Sequence, residues 1–270
     1  MLKIIKILCI LFFSTTISFA DSVDDPIKIS TRQMRKFTSK APRPTVVFGH
    51  GCDGMPSGHA IFDWAIELGN WGYNTVYYDS FTSKGFPKGL CEGLTGLKVS
   101  PEYRAREAQE LAKWVKEQPW HSGKIVYIGE SHGGSTALRV ALTPKDKNEF
   151  SASIAFYPWC GGYAYGRYLG PLGPPKFDKE SGGTGWLMEI PTQLHLASAD
   201  DWTPPAECLL VLKSEIFEYP GATHTFDLDY PERTFLGYKM KYDKKAKELS
   251  RERVQKFLNN KLFENSTEVK

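Results

Sequence analysis

The sequence predicts one α/β domain in which a mostly parallel sheet is covered by helices on both faces. Two observations lead there. Short apolar runs of about five or six residues, rich in Val, Ile, Phe and Tyr, alternate with longer runs that carry apolar residues at helical spacing. The short runs are apolar on both sides, so a sheet built from them needs helices on both of its faces. The length adds a bound: of 270 residues, roughly 250 remain after a leader-like start, enough for one large core without a second domain.

The elements follow in chain order. Residues 1–20 begin with Lys3 and Lys6, continue through an apolar stretch at 4–13, and end in Ser18-Phe19-Ala20 before the polar Asp21-Ser22. This is the pattern of an export signal cleaved after Ala20, leaving 21–270 as the mature domain. The alternative is a retained membrane anchor, but the apolar stretch falls short of the roughly 20 residues that cross a bilayer. No later stretch is long and apolar enough either, so stable membrane insertion is not expected.

Weak alternation at 27–38 suggests one or two edge strands, and Ala41-Pro42-Arg43-Pro44 punctuates the chain. Thr45-Val46-Val47-Phe48 reads as a buried strand ending at Gly49-His50-Gly51. A helix is expected at 61–71 and a strand at 74–78, followed by an aperiodic, glycine-bearing loop from 80 to 100. Ser100-Pro101-Glu102 opens the next helix with a cap residue, proline at the first helical position and an acidic first turn. A strand at 124–128 and a helix at 132–142 come next, then a strand at 152–157. Residues 158–185 are rich in glycine, proline and tyrosine and predict an irregular excursion. The order closes with a strand at 192–197, a helix at 204–212, a strand at 215–219 and a helix at 244–262, before a frayed tail from about residue 265.

Charge excludes one class of partner. The chain has 34 Lys and Arg against 31 Asp and Glu, and removing Lys3 and Lys6 leaves a near-neutral protein without the basic surplus that nucleic-acid binding requires. Beyond Cys9 in the leader, four cysteines remain: Cys52, Cys91, Cys160 and Cys208. An even number in an exported chain predicts two disulfides, and chain order does not choose among the three pairings. Their spacing does not match a zinc site, so no metal is expected.

Chemistry concentrates at Gly129-Glu130-Ser131-His132-Gly133-Gly134, directly after one strand and directly before a helix. A strand that turns this sharply into a helix tolerates almost no side chain two residues before and two residues after the serine, and glycine occupies both positions. The turn lifts the Ser131 hydroxyl above the carboxyl edge of the sheet. A serine hydroxyl needs a base, and His224, in the loop after the last strand, is the expected one. His50 ends a strand, and His132 faces away from Ser131 by its place in the turn. The base needs an orienting carboxylate, for which Asp200 is favoured over Asp201. The order Ser131, Asp200, His224 is that of the α/β-hydrolase fold. A developing oxyanion needs two donors, assigned to the backbone N–H groups of Cys52 and His132. A Cys52–Cys91 bond would tie the 80–100 loop to the oxyanion loop and leave Cys160 with Cys208.

Four segments together resemble one known family. They are Val46-Val47-Phe48-Gly49-His50-Gly51-Cys52-Asp53-Gly54; Gly129-Glu130-Ser131-His132-Gly133-Gly134; Ala199-Asp200-Asp201-Trp202-Thr203-Pro204-Pro205 with Cys208; and Tyr219-Pro220-Gly221-Ala222-Thr223-His224-Thr225-Phe226-Asp227. In that order they resemble the signature segments of the dienelactone hydrolase family, over about residues 45–262. The resemblance implies a compact α/β-hydrolase fold without a large cap domain. The family archetype opens an unsaturated lactone with a cysteine where this chain has Ser131, so the dienelactone substrate is not carried over.

The expectation is therefore an exported, periplasmic or secreted, monomeric serine hydrolase. It would cleave a small-molecule carboxylic ester or lactone through an acyl-enzyme without a cofactor. A peptidase or amidase of the same fold and a non-catalytic exported binding protein are the competing readings. Tyr157, Trp159, Tyr163 and Trp202 are candidate pocket aromatics. Glu130 beside the serine is read either as tuning the site or as making a salt bridge or supporting hydrogen bond.

Overall fold

A computed structural model describes residues 34–55, 59–92, 98–164, 167–180 and 182–263. The expected signal segment, most of the weakly alternating stretch at 27–38 and the tail lie outside the described residues. Six strands run parallel: β2 (Arg43–Gly49), β3 (Asn74–Tyr78), β4 (His121–Glu130), β5 (Ala152–Phe156), β9 (Gly183–Ala197) and β10 (Val211–Tyr219). Strand β1 (Met34–Phe37) pairs antiparallel with β3 and closes one edge, giving the order β1-β3-β2-β4-β5-β9-β10. Strand β8 (Lys176–Asp178) adds antiparallel to the start of β9.

The two-sided apolar strands are explained by where the helices lie. Helices α2 (Pro101–Lys116) and α3 (His132–Ala141) place Ala108, Leu111, Leu138 and Val140 in one buried cluster with Val47, Ile125 and Tyr127. Helices α1 (His59–Asn70) and α4 (Lys244–Phe263) place Trp64, Leu68, Val254 and Phe257 in another with Val46, Phe48, Val126 and Ile128. Successive residues of β2 and β4 thus feed opposite faces, as the two-residue period of a strand requires. Each fully buried Leu or Phe contributes about 1.5–3 kcal/mol of transfer free energy. The start of α2 is built as its sequence suggests, with Ser100 Oγ accepting from Tyr103 N at 3.1 Å and Pro101 at the first position.

Three stretches differ from the sequence reading. The expected helix at 204–212 is a short 3-10 turn, Ala206–Leu210. Its apolar residues do not share a buried face, since Leu209 is 54% exposed, while Cys208 is drawn inward to its disulfide partner. The chain then enters β10 at Val211, four residues earlier than expected, because Val211 and Leu212 find partners in Trp186 and Leu187 of a lengthened β9. The excursion after β5 forms a small hairpin, β6 (Gly162–Ala164) with β7 (Arg167–Leu169). A second hairpin, β11 (Arg233–Phe235) with β12 (Tyr238–Met240), has no counterpart in the sequence reading. Leu236 and Gly237 form its two-residue turn, both with positive φ, 50° and 91°, the backbone of a primed hairpin turn.

The four cysteines form two disulfides, Cys52–Cys91 and Cys160–Cys208. No large cap stands over the sheet among the described residues, and no helix there is long and apolar enough to cross a membrane.

Candidate active site

Ser131 lies between β4 and α3 with φ 53° and ψ −115°. Its N–H donates to Phe156 O at 2.9 Å, and its own carbonyl accepts from Ser135 N at 2.9 Å, so the strained residue is held from both sides. The flanking glycines are required by close approach. A Cβ on Gly129 would lie 2.0 Å from Gly133 O, and one on Gly133 would lie 2.1 Å from Gly49 O.

The structure brings Ser131, His224 and Asp200 together from three separate loops. His224 Nε2 is 3.0 Å from Ser131 Oγ, and Nδ1 is 2.7 Å from Asp200 Oδ2. Asp200 follows β9 and caps a tight turn: Oδ1 accepts from the N–H groups of Trp202 and Thr203, each at 2.9 Å, and the Thr203 hydroxyl lies 2.8 Å from Oδ2. Burial pushes the Asp200 carboxyl up, but the His224 bond and the Thr203 donors outweigh it and hold the group below the ordinary carboxylate value. An anionic Asp200 accepts from Nδ1–H and so leaves the Nε2 lone pair facing the Ser131 hydroxyl. Asp201, the alternative, is exposed and accepts from Lys239 N on the β11–β12 hairpin at 3.3 Å.

The other two histidines weighed as the base, His50 and His132, do different work. His50 Nδ1–H donates to Gly51 O at 2.7 Å, while Nε2 accepts from Ser80 N at 3.1 Å. Burial, aided by the Arg104 guanidinium, keeps its pKa well below the usual value. His132 Nδ1 accepts from Arg104 Nη1 at 2.8 Å, so its ring is turned from Ser131 as the turn geometry predicted.

A cavity of about 380 Å³ opens beside Ser131 and His224. Gly51 and Cys52 form one wall, and a Cβ on Gly51 would stand 3.6 Å from Ser131 Cβ, so the loop backbone passes close to the hydroxyl. The Cys52 sulfur is committed to Cys91, which leaves its backbone as what this residue offers the cavity. Of the four candidate aromatics, Tyr157 and Trp202 line the cavity, with rings 4.8 and 5.0 Å from that of His224. Trp159 does not line it, and the Tyr163 side chain lies outside the description.

Sequence reasoning missed the opposite wall. Arg233, Phe235 and Met240 of the β11–β12 hairpin line the cavity, and Met240 forms a bridge with His224. The aromatic residues Tyr230, Phe235 and Tyr238, crowded between His224 and the closing helix, were the available signal. Thr203 was also missed; a threonine three residues after an acidic residue is a local turn pattern that points to Asp200 over Asp201.

Glu130 lines the same cavity and accepts from Trp64 Nε1 at 3.1 Å. Beyond it, Asp227 accepts from Tyr157 OH at 2.9 Å and Arg251 Nη2 at 3.2 Å, and Arg251 also pairs with Asp63 at 2.9 Å. Burial, reinforced by the neighbouring Asp227, pushes the Glu130 carboxyl well above its usual range. Of the two expectations for Glu130, the structure contains the supporting hydrogen bond.

The model of the dienelactone hydrolase family matches residues 37–262. The chain belongs to that family. Solved structures share its fold at low identity. A putative dienelactone hydrolase from Klebsiella pneumoniae subsp. pneumoniae is 16% identical with a TM-score of 0.61, over 81% of this chain and 88% of that one. Est1E from Butyrivibrio proteoclasticus, bound to ferulic acid, is 16% identical with a TM-score of 0.54, over 84% and 95%. A dienelactone hydrolase-like promiscuous phosphotriesterase from metagenomic libraries is 15% identical with a TM-score of 0.57, over 85% and 99%. No curated protein sequence matches the chain. Membership in the dienelactone hydrolase family supports a hydrolase acting on a small-molecule substrate.

Proposed function

We propose that this family member is a serine hydrolase that cleaves a carboxylic ester or lactone through an acyl-enzyme. The observation that carries the reading is the His224 imidazole, bonded at 3.0 Å to Ser131 on one side and at 2.7 Å to Asp200 on the other. In the first step Nε2 takes the hydroxyl proton as Oγ bonds to the substrate carbonyl carbon. The carbonyl electron pair moves onto oxygen, which the N–H groups of Cys52 and His132 receive. Each such donor is worth about 3 kcal/mol in the transition state. When the tetrahedral adduct collapses, the bond to the leaving oxygen breaks and imidazolium returns the proton to it. Water then attacks the acyl-serine as His224 takes its proton; collapse breaks the acyl–Oγ bond, and the imidazolium returns the proton to Ser131 Oγ, releasing the acid.

Two features support the setting of this chemistry. The leader-like pattern at 1–20 and the two disulfides both suit an oxidising compartment, so the proposed mature protein is a single exported domain, residues 21–270. The test is labelling with a fluorophosphonate, followed by rates on nitrophenyl esters and aminoacyl anilides. The reading expects one phosphonyl group per chain, none in Ser131→Ala, and ester turnover at least about 100-fold above anilide turnover. Absence of labelling contradicts the serine mechanism, and faster anilide turnover makes the protein a peptidase of the same fold.

A further inference from the structure

The two donors assigned to the oxyanion belong to different parts of the chain, one after β2 and one at the start of α3. Something must hold them in register, and one buried side chain touches both supports. Arg104, on α2, is fully buried. Its Nη2 donates to His50 O at 2.9 Å, two residues before Cys52, and its Nη1 donates to His132 Nδ1 at 2.8 Å. The Phe81 ring fills the space between the three groups, with the guanidinium carbon 5.0 Å from its centroid and the His50 and His132 rings meeting it edge-on at 4.7 and 5.6 Å.

Resting on the serine-hydrolase reading above, we infer that Arg104 is a positioning residue that fixes the distance between the two halves of the oxyanion hole. The guanidinium suits this task because its planar fork sends two N–H groups in fixed directions to two acceptors, which a lysine ammonium on a flexible stem does not do. The choice of partners is also informative. Both terminal nitrogens spend their hydrogen bonds on a backbone carbonyl and an imidazole, and Nε has no hydrogen-bond partner. A charge buried on these terms is a poor way to gain stability compared with an apolar side chain of the same size. It is an effective way to fix two backbone segments relative to each other. The Cys52–Cys91 disulfide and the Leu90 N–H, which donates to Cys52 O at 2.6 Å, hold the far side of the same loop.

An oxyanion hole acts on the transition state, so loosening it should lower kcat and leave KM nearly unchanged. The test compares Arg104→Met, Arg104→Lys and His132→Leu with the wild type, using a nitrophenyl ester, an aryl trifluoromethyl ketone that forms a tetrahedral adduct, and the matching inert ether. Both Arg104 variants are expected to lose about 10- to 100-fold in kcat with KM within about twofold. The ketone should weaken by the same factor and the ether should not. His132→Leu removes one of the two acceptors and is expected to lose about 3- to 10-fold in kcat. It keeps the test open if the buried substitutions fail to fold. Unchanged kcat in a folded Arg104 variant, unchanged kcat in His132→Leu, or equal weakening of ketone and ether would overturn the role. The two readings fail separately: a wild type that fluorophosphonate does not label at Ser131 removes the hydrolase reading, whereas normal labelling with unaffected variants removes only the positioning role.

Discussion

Asp200 and Glu130 are both carboxylates drawn into the carboxyl edge of the sheet, yet their surroundings drive their protons in opposite directions. Burial raises both. Asp200 offsets it with the His224 imidazole, two backbone N–H groups and a hydroxyl, and ends below its ordinary value. Glu130 has the Trp64 indole N–H as its donor and another carboxylate, Asp227, nearby, and ends well above its own. The number and sign of close partners, not depth, set the direction in which each carboxyl is shifted. Asp200 holds the His224 imidazole at 2.7 Å, while Glu130 sits in the field of Asp227 and of Arg251, which pairs with that aspartate.

Substitutions can break this contrast, the largest effect first. Asp200→Asn should keep the fold and lower kcat by about 10²–10⁴ with little change in KM, because the amide favours the wrong imidazole tautomer. Steady-state kinetics read this directly, and Asp201→Asn, outside the site, should stay within about twofold. Arg251→Met acts on the other region. It strips the cation from Asp227 and Asp63, and chemical denaturation should show a loss of about 3–5 kcal/mol.

A pH-dependent effect, small near pH 5 and growing as pH rises, is expected for Glu130→Gln. A carboxyl whose folded pKa is raised costs stability as pH climbs from its unfolded value toward the folded one, since the unfolded chain releases the proton first. Glutamine mimics the protonated form without that cost. The variant should match the wild type near pH 4.5 and below and become relatively more stable above it, by at most about 1.4 kcal/mol per pH unit. Denaturation midpoints across pH 4–8 that show no widening gap would mean that Glu130 is charged in the folded protein.

The legible parts of this molecule are those set by short-range rules. The short two-sided apolar runs of β2 and β4, the cap of α2, and the glycines that a bend at Ser131 demands were all readable, because each depends on neighbours a few residues away. The β11–β12 hairpin was not, since Phe235 and Met240 face a cavity and give no core periodicity. The expected helix at 204–212 failed because a disulfide draws Cys208 inward and a lengthened neighbouring strand takes Val211 and Leu212. Arg104 could not be assigned either. The sequence offers it, with Arg106, Arg139 and Arg167, only as a cation able to meet an anionic substrate, because its partners lie 54 and 28 residues away.

In the proposed mechanism Ser131 carries the acyl group during turnover. Rapid quenching in acid after mixing with excess nitrophenyl butyrate, followed by peptide mass analysis, tests it most directly. A burst of nitrophenol and a butyryl increment on the peptide containing Ser131 are expected, with both lost in Ser131→Ala. An increment on another residue, or turnover undiminished in Ser131→Ala, would contradict it.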